Sequence, residues 1–328
     1  MSDVISFPGL GWEFSINRVA FSLGSIDIYW YAILIATGFL LAVWFFEKNC
    51  PQFGLDPDKS LDVIFITMIL GIVGARAYFV IFKWKELYAD NPIEIFNIRG
   101  GGLGFYGGVI GGILGIWLGC KIFKTKVLPF LDLAGGAVLI GQGIGRWGNF
   151  VNSEAFGCNT TLPWGMTSQN IVRYILSHTA EEMGAEVSPL LPVHPTFLYE
   201  SIWCGIGLLL FCLFMKKRVF DGEMILFYIG WNGLGRAWIE GLRTDSLMLG
   251  SFRVSQLLGA LMAIFAFGAL IMIDRRLRKL PEGERKPLWR DLATEKAETV
   301  LEPEEIVPEE TEAENDDREE GEDVGIDH

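Results

Sequence analysis

The residues best equipped for chemistry lie between Gly141 and Gly157, in the stretch GQGIGRWGNFVNSEAFG. Arg146, Asn149 and Asn152 recur every three positions, so on a helix they share one side. Glycines 141, 145 and 148 let another backbone or a ligand approach closely. Arg146 sits where apolar sequence gives way to polar sequence. There a guanidinium either reaches outward for water or meets a charged lipid head group or a buried acid. A second set, Arg236, Glu240 and Arg243, is spaced i, i+4, i+7 and forms a ladder along one helix face. Glu240 either neutralises both arginines at a helix end or holds one while the other grips a phosphate through two N–H donors. A third set, HPTFLYE, offers His194, Tyr199 and Glu200 at the outer mouth of an apolar segment. Its histidine reads as a structural hydrogen-bonding group or as a base.

Metal chemistry finds no support. The five cysteines are scattered without a CxxC pair, and the three histidines form no HExxH. Neither a metal site nor a disulfide framework is expected.

The elements that position these residues are apolar. Of 328 residues, 51% are hydrophobic, and the mean hydropathy is +0.34. Several uninterrupted apolar runs near twenty residues long indicate a polytopic membrane protein. Seven spans are expected: Ile26–Phe46, Leu61–Phe82, Gly101–Phe123, Val127–Phe150, Pro195–Met215, Glu223–Glu240 and Val254–Ile273. Residues 1–25 read as an interfacial arm and residues 26–274 as the transmembrane domain. Residues 151–194 are an insertion long enough for a small cap outside the bilayer. In the third span, glycines 107, 111, 115 and 119, and glycines 100, 104, 108 and 112, form two adjacent stripes suited to close helix packing. Arg76, near the end of span two, either snorkels outward or points inward at a partner.

The formal charge of −13 describes the tail, not the body. Residues 281–328 carry 19 acidic and 5 basic side chains, so the rest is nearly neutral. Residues 275–328 read as a basic juxtamembrane segment followed by a disordered acidic tail. Basic clusters follow spans one, three, five and seven, which makes those loops cytoplasmic and puts the N-terminus and the cap outside. Arg76, Arg146, Arg236 and Arg243 oppose that bias. A bound anion explains their placement better than orientation does.

GRWGNFVNSEAFG resembles the signature of the bacterial prolipoprotein diacylglyceryl transferases. Further blocks appear in order: YWY opening span one, GAR in span two, GGLGFYGG, HPTFLYE and GRAWIEGLRTDS. The resemblance covers roughly residues 20–275. It implies an all-α, seven-helix enzyme of the bacterial inner membrane, with the C-terminus cytoplasmic. Such an enzyme moves a diacylglyceryl group from phosphatidylglycerol to the lipobox cysteine thiol of a preprolipoprotein and releases glycerol phosphate. Its partners would be phosphatidylglycerol, lipobox signal peptides and membrane lipids, not nucleic acid, and no cofactor would be needed. The match implies that Arg146 and Arg236 bind the lipid phosphate and that Asn149, Glu154 and Gly157 shape the site. Tyr31, Glu240 and Arg243 would support them. A transporter or a non-catalytic lipid-binding factor would share the arginines, but the former usually shows an internal repeat.

The chain departs from the family at Tyr106, where many members carry a histidine proposed to activate the thiol. An unperturbed tyrosine, near pKa 10, is a poor base at neutral pH. Either nearby arginines lower it, or His194 takes the proton, or no dedicated base is needed because cationic arginines favour thiolate.

Overall fold

The computed structural model describes residues 2–97, 101–244, 248–249, 252–281, 284 and 287–294. It is mostly helical. Among the described residues six helices are long and apolar enough to cross a membrane: α1 (Trp30–Asn49), α2 (Pro57–Lys83), α3 (Phe105–Ile122), α4 (Val127–Asn152), α7 (Thr196–Phe214) and α9 (Val254–Arg278). Between α4 and α7 lie two short helices, α5 (Gln169–Ser177) and α6 (Ala180–Met183), and α8 spans Glu223–Ile239 with 17 residues. The start of α2 is set by its sequence: Pro57 is pre-shaped for a first turn, and the Asp56 carboxylate accepts from the Asp58 and Lys59 amides.

Helix α4 is the hub, packing against α1, α7 and α8. Gly38 of α1 lies against Ile144 while Phe46 meets Phe130, so α1 and α4 run antiparallel. The pairs Gly136/Phe211 and Trp147/Ser201 make α7 antiparallel to α4 as well. Asp132 accepts from the amides of Gly222 and Ile225, and thereby caps the start of α8 from a neighbouring helix. Helices α7 and α8 are fastened by two stacked indoles, Trp203 and Trp231, with ring centroids 4.2 Å apart. Each indole N–H donates to the other's carbonyl at 3.0 Å. Gly207 and Gly235 leave the space those rings occupy.

One of the two glycine stripes of α3 makes a helix interface. A methyl group at Gly107 or Gly111 would run into the α2 backbone at Gly74 and Leu70, and one at Gly115 would come within 2.6 Å of Thr67 Cα. The other stripe is looser: Gly108 has nothing nearer than 3.6 Å, Gly112 has nothing within 4 Å, and Gly100 lies outside the described residues. Gly104 is the exception in that stripe: a methyl group there would come within 2.6 Å of the Tyr78 ring, and its amide donates to the Ala75 carbonyl at 2.9 Å. The sequence periodicity marked both stripes alike, but only the first packs tightly on the α2 backbone along its length.

The N-terminus differs from a simple arm. It forms two antiparallel hairpins, β1 (Ser2–Phe7) with β2 (Trp12–Asn17) and β3 (Val19–Leu23) with β4 (Ile26–Tyr29). The first span therefore begins at Trp30, not Ile26. Residues 26–29 pair with β3 instead of extending the helix, and in β1 Asp3, Ile5 and Phe7 are buried on one face while Val4 is exposed on the other. Strand β1 also pairs with β5 (Thr167–Ser168), so the chain's first residues are stitched to the 151–194 insertion. Together they enclose a second apolar core, separate from the bundle core, built on Ile5, Phe156, Met166, Ile171 and Val193. A last two-stranded ladder joins β6 (Met248–Leu249) to β7 (Phe252–Arg253).

Part of the segment after α9 is folded. Leu288 is buried, and residues 289–294 form a helical turn. The Trp289 indole donates to the Gly54 carbonyl at 2.9 Å, its amide to Asp221 at 2.8 Å, and Lys126 stands 4.8 Å over its ring. Apolar Leu288 and Trp289 supply the anchor that charge composition alone conceals. The acidic tail expected beyond this point, residues 295–328, lies outside the described residues.

Candidate functional site: an arginine cluster between α4, α7 and α8

Three guanidinium groups and two carboxylates converge where α4, α7 and α8 meet. Arg146 of α4 forms an ion pair with Glu200 of α7, and the other oxygen of Glu200 accepts from Arg243 at 3.2 Å. Arg236 of α8 pairs with Glu240 at 2.8 Å, the i, i+4 contact expected from the sequence. Glu240 and Arg243 are buried. Among the described residues the cluster holds one more cation than anion, and the low-dielectric surroundings make that excess felt more strongly than in water.

The expected three-member ladder breaks after its second member. Helix α8 ends at Ile239, residues 240–242 tighten into a 3₁₀ turn, and Arg243 is extended. Leaving the helix turns Arg243 toward Glu200 of α7. Its backbone is held there by Gly157, which bridges to it antiparallel, and by Cys158, whose amide donates to the Leu242 carbonyl at 2.7 Å. A side chain at Gly157 would sit 2.7 Å from His194 Cβ and 2.9 Å from the Leu242 carbonyl. Glycine is what lets three chain segments close on one another here.

The end of α4 places the amides. Ser153 ends the helix in the left-handed region (φ 54), and Ala155 follows at φ 54. This tight reversal returns Glu154 over the last turn, where Asn149 and Asn152 donate to its carboxylate at 3.0 and 3.2 Å. Ser153 in turn donates to Asp3 at 2.7 Å, fastening the reversal to β1. Arg146, Asn149 and Asn152 do share one side of α4, and Arg146 stands 3.5 Å from the Asn149 amide oxygen.

Other expected residues are placed further off. Tyr31 packs on α4 at Gly148, where a methyl group would come within 2.5 Å of its ring. His194 Nδ1 lies 3.0 Å from the Tyr199 hydroxyl, which accepts from Trp164 at 2.8 Å. Burial holds the His194 imidazole below the usual histidine range, so it is neutral at pH 7. Tyr106 is 53% exposed on α3, its ring near Tyr78 and Phe105. Neither Tyr106 nor His194 lines the cleft between the arginines. Arg76 takes no anion in this arrangement. It is 8% exposed, and its N–H groups donate to the carbonyls of Glu94, Ile95, Asn97, Gly101 and Gly102 at 2.6–2.9 Å. Five donors meet five acceptors, which saturates the guanidinium. Among the described residues no group of His, Cys, Asp and Glu side chains is arranged to hold a metal ion.

The family model for prolipoprotein diacylglyceryl transferase matches residues 18–272, a range that contains every residue of the cluster. The chain belongs to this family. It is 41% identical over 262 residues to the phosphatidylglycerol–prolipoprotein diacylglyceryl transferase of Clostridioides difficile, covering 80% of this chain and 97% of that one. The protein of the same name from Enterococcus faecalis is 40% identical over 282 residues, covering 85% and 98%. That from Finegoldia magna is 40% identical over 271 residues, covering 82% and 100%.

In this diacylglyceryl transferase family member, two unlike cavities meet at one side chain. The arginine cleft holds only about 20 Å³ and is lined by Gln142, Arg146, Glu200, Trp203, Asn232 and Arg236, among others. Beside it an apolar cavity of about 520 Å³ opens between α1, α2, α3 and α4. Gln142 lines both. Its amide nitrogen donates to the Tyr228 hydroxyl at 3.1 Å, and its buried carbonyl oxygen has no hydrogen-bond partner among the described residues. Sequence reading named Glu200 within HPTFLYE but gave it no role in the site, and it did not single out Gln142. For Glu200 the signal was there, since an arginine inside an apolar span asks for a buried acid and HPTFLYE carries one. For Gln142 only the structure reveals the junction.

Proposed function

We propose that this chain transfers the diacylglyceryl group of phosphatidylglycerol to the lipobox cysteine thiol of a preprolipoprotein. The observation that carries the reading is the charged cluster set beside an apolar cavity: a polar cleft with excess positive charge, flanked by room for acyl chains. Relatives of the same family bear that activity in their names. The thiolate sulfur attacks the lipid's glycerol carbon, a C–S bond forms, and the C–O bond to phosphate breaks. The electron pair leaves with the phosphate ester oxygen as glycerol phosphate, and the thiol proton passes to water.

Arg146 and Arg236 bind that phosphate and stabilise the charge that grows on it as the C–O bond opens. In the resting cleft Glu200 occupies Arg146, so the phosphate must displace this carboxylate while Arg243 keeps hold of its other oxygen. Asn149, held by Glu154, stands next to Arg146 and limits where its guanidinium turns. Gly157 and Glu240 fix Arg243 and Arg236, and Tyr31 braces α4 at Gly148. With Tyr106 and His194 outside the cleft, the net positive field of the cluster is the group that favours the thiolate, and no side-chain base is assigned.

For the surroundings we propose seven crossings, α8 being the seventh: its two ends fall at the same two ends of the bundle as those of its neighbours. The basic residues at one end (Lys48, Lys59, Lys121, Lys216, Arg275) make that end cytoplasmic. The hairpins and residues 151–194 then form an extracytoplasmic cap, and the enzyme sits in a bacterial inner membrane with its N-terminus outside. The test is mass spectrometry of a synthetic lipobox peptide incubated with purified protein and phosphatidylglycerol. The expected product is the peptide carrying one diacylglyceryl thioether. An unmodified peptide, with correctly folded protein, refutes the reading.

A further inference from the structure

A polar chamber of about 680 Å³ lies on the outward side of the arginine cluster, between the end of α4 and α5. Arg18, Arg173 and Arg243 line it, with Asn149, Asn152 and, among the described residues, a single acid, Glu154. Glu154 is engaged by the two asparagine amides. The hydrogen bonds of Arg18 and Arg173 go to neutral acceptors. Arg18 donates to the Asn152 carbonyl at 2.7 Å, and Arg173 to the side chains of Gln169 and Asn170 at 3.3 and 3.4 Å. The chamber is thus an electropositive space. It adjoins the cleft through one shared bridge, since Arg243 lines the chamber while the Glu200 it grips lines the cleft.

We infer that this chamber is a binding site for a phosphate monoester, the glycerol phosphate released by the transfer reaction, with Arg173 and Arg18 as its outer contacts. The inference rests on the reaction proposed above. Its chemistry separates product from substrate. The lipid phosphate is a diester with one negative charge. Once the C–O bond breaks it becomes a monoester, whose second ionisation near pH 6 gives about −1.5 to −2 at pH 7. A chamber rich in arginine therefore holds the product more strongly than the headgroup of the intact lipid. It draws the leaving group away from the cleft along Arg243, after which Glu200 can return to Arg146.

The test measures initial rates of lipobox-peptide modification against added racemic glycerol 1-phosphate, with glycerol and inorganic phosphate as parallel probes. The wild-type protein should be inhibited by glycerol phosphate, weakly by inorganic phosphate and not by glycerol. Arg173→Gln should raise the inhibition constant about tenfold, in line with loss of one charge-assisted contact, while the KM for phosphatidylglycerol stays within about twofold. Arg173→Lys, which keeps the charge, should fall between. Equal inhibition constants in wild type and Arg173→Gln overturn the inference, as does a KM for the lipid that rises in step. If the wild type forms no thioether, the transfer reading itself fails. The chamber is then judged by equilibrium binding of radiolabelled glycerol phosphate to wild type and Arg173→Gln, where equal binding, or none, overturns it.

Discussion

Glu200 divides its two oxygens between Arg146 and Arg243, while Glu240 serves Arg236. Arginine is suited to such sharing because its fork presents several fixed donors, where lysine offers one point charge. Arg146→Lys and Arg236→Lys should therefore each lose roughly 100-fold or more in turnover, the scale on which deleting one donor to a developing oxyanion acts. Turnover of membrane-inserted variants checks this, and near-normal rates in both would remove the arginines from the chemistry. Tyr106 lies outside the cleft, so Tyr106→Phe should change turnover less than threefold across pH 6 to 9, well below the 10²–10⁴-fold effect of a general base. A tenfold loss would return the proton transfer to that hydroxyl. Arg76 marks how far residue type alone can be read. Like Arg146 it is an arginine near the end of a span, and the sequence grouped both with the anion binders. Which of them is already satisfied depends on loop carbonyls 18 to 26 residues away, and no local pattern records that.

At the scale of elements, hydrophobic run length located most spans well, because the bilayer imposes one length on all of them. The register of each end was less legible. Span one starts four residues late because Ile26–Tyr29 at its mouth pair as a strand with Val19–Leu23. Arg243 left its ladder because α8 ends first. The loop into α7 carries a further consequence. Burial depresses the His194 pKa below 6.5, so its neutral ring is favoured in the fold. The unfolded chain takes up that proton first as pH falls. Stability should therefore drop as pH descends through 6.5 and level off below the folded pKa. His194→Gln should flatten this fall, read as melting temperature between pH 7 and pH 5. An unchanged slope would show that other groups set it.

At the scale of the whole molecule, composition identified a membrane protein with an acidic tail but hid that Leu288 and Trp289 belong to the folded body. Net charge averaged over 281–328 masks Leu288 and Trp289, which pack against three loops at the basic end. Truncation after Lys279 should accordingly lower the melting temperature of the purified protein by several degrees, as loss of one buried aromatic anchor does. Truncation after Thr294 should leave both stability and peptide modification near wild type. Identical melting curves for the two truncations would mean that the Trp289 contacts contribute nothing.

The hydrogen bond from Trp289 to Gly54 joins residues 235 positions apart. The first loop at the basic end is made early in synthesis, yet its partner leaves the ribosome only after the last long apolar helix has been produced. Until then Gly54, Lys126 and Asp221 wait without the ring that ties them together. A chain that has released Val254–Arg278 from the ribosome but not yet Trp289 thus holds a bundle whose helices have all been inserted but whose loops remain unclasped. Closing that clasp is a post-insertion event, and susceptibility of these loops to a protease added from the side that carries the basic residues would time it.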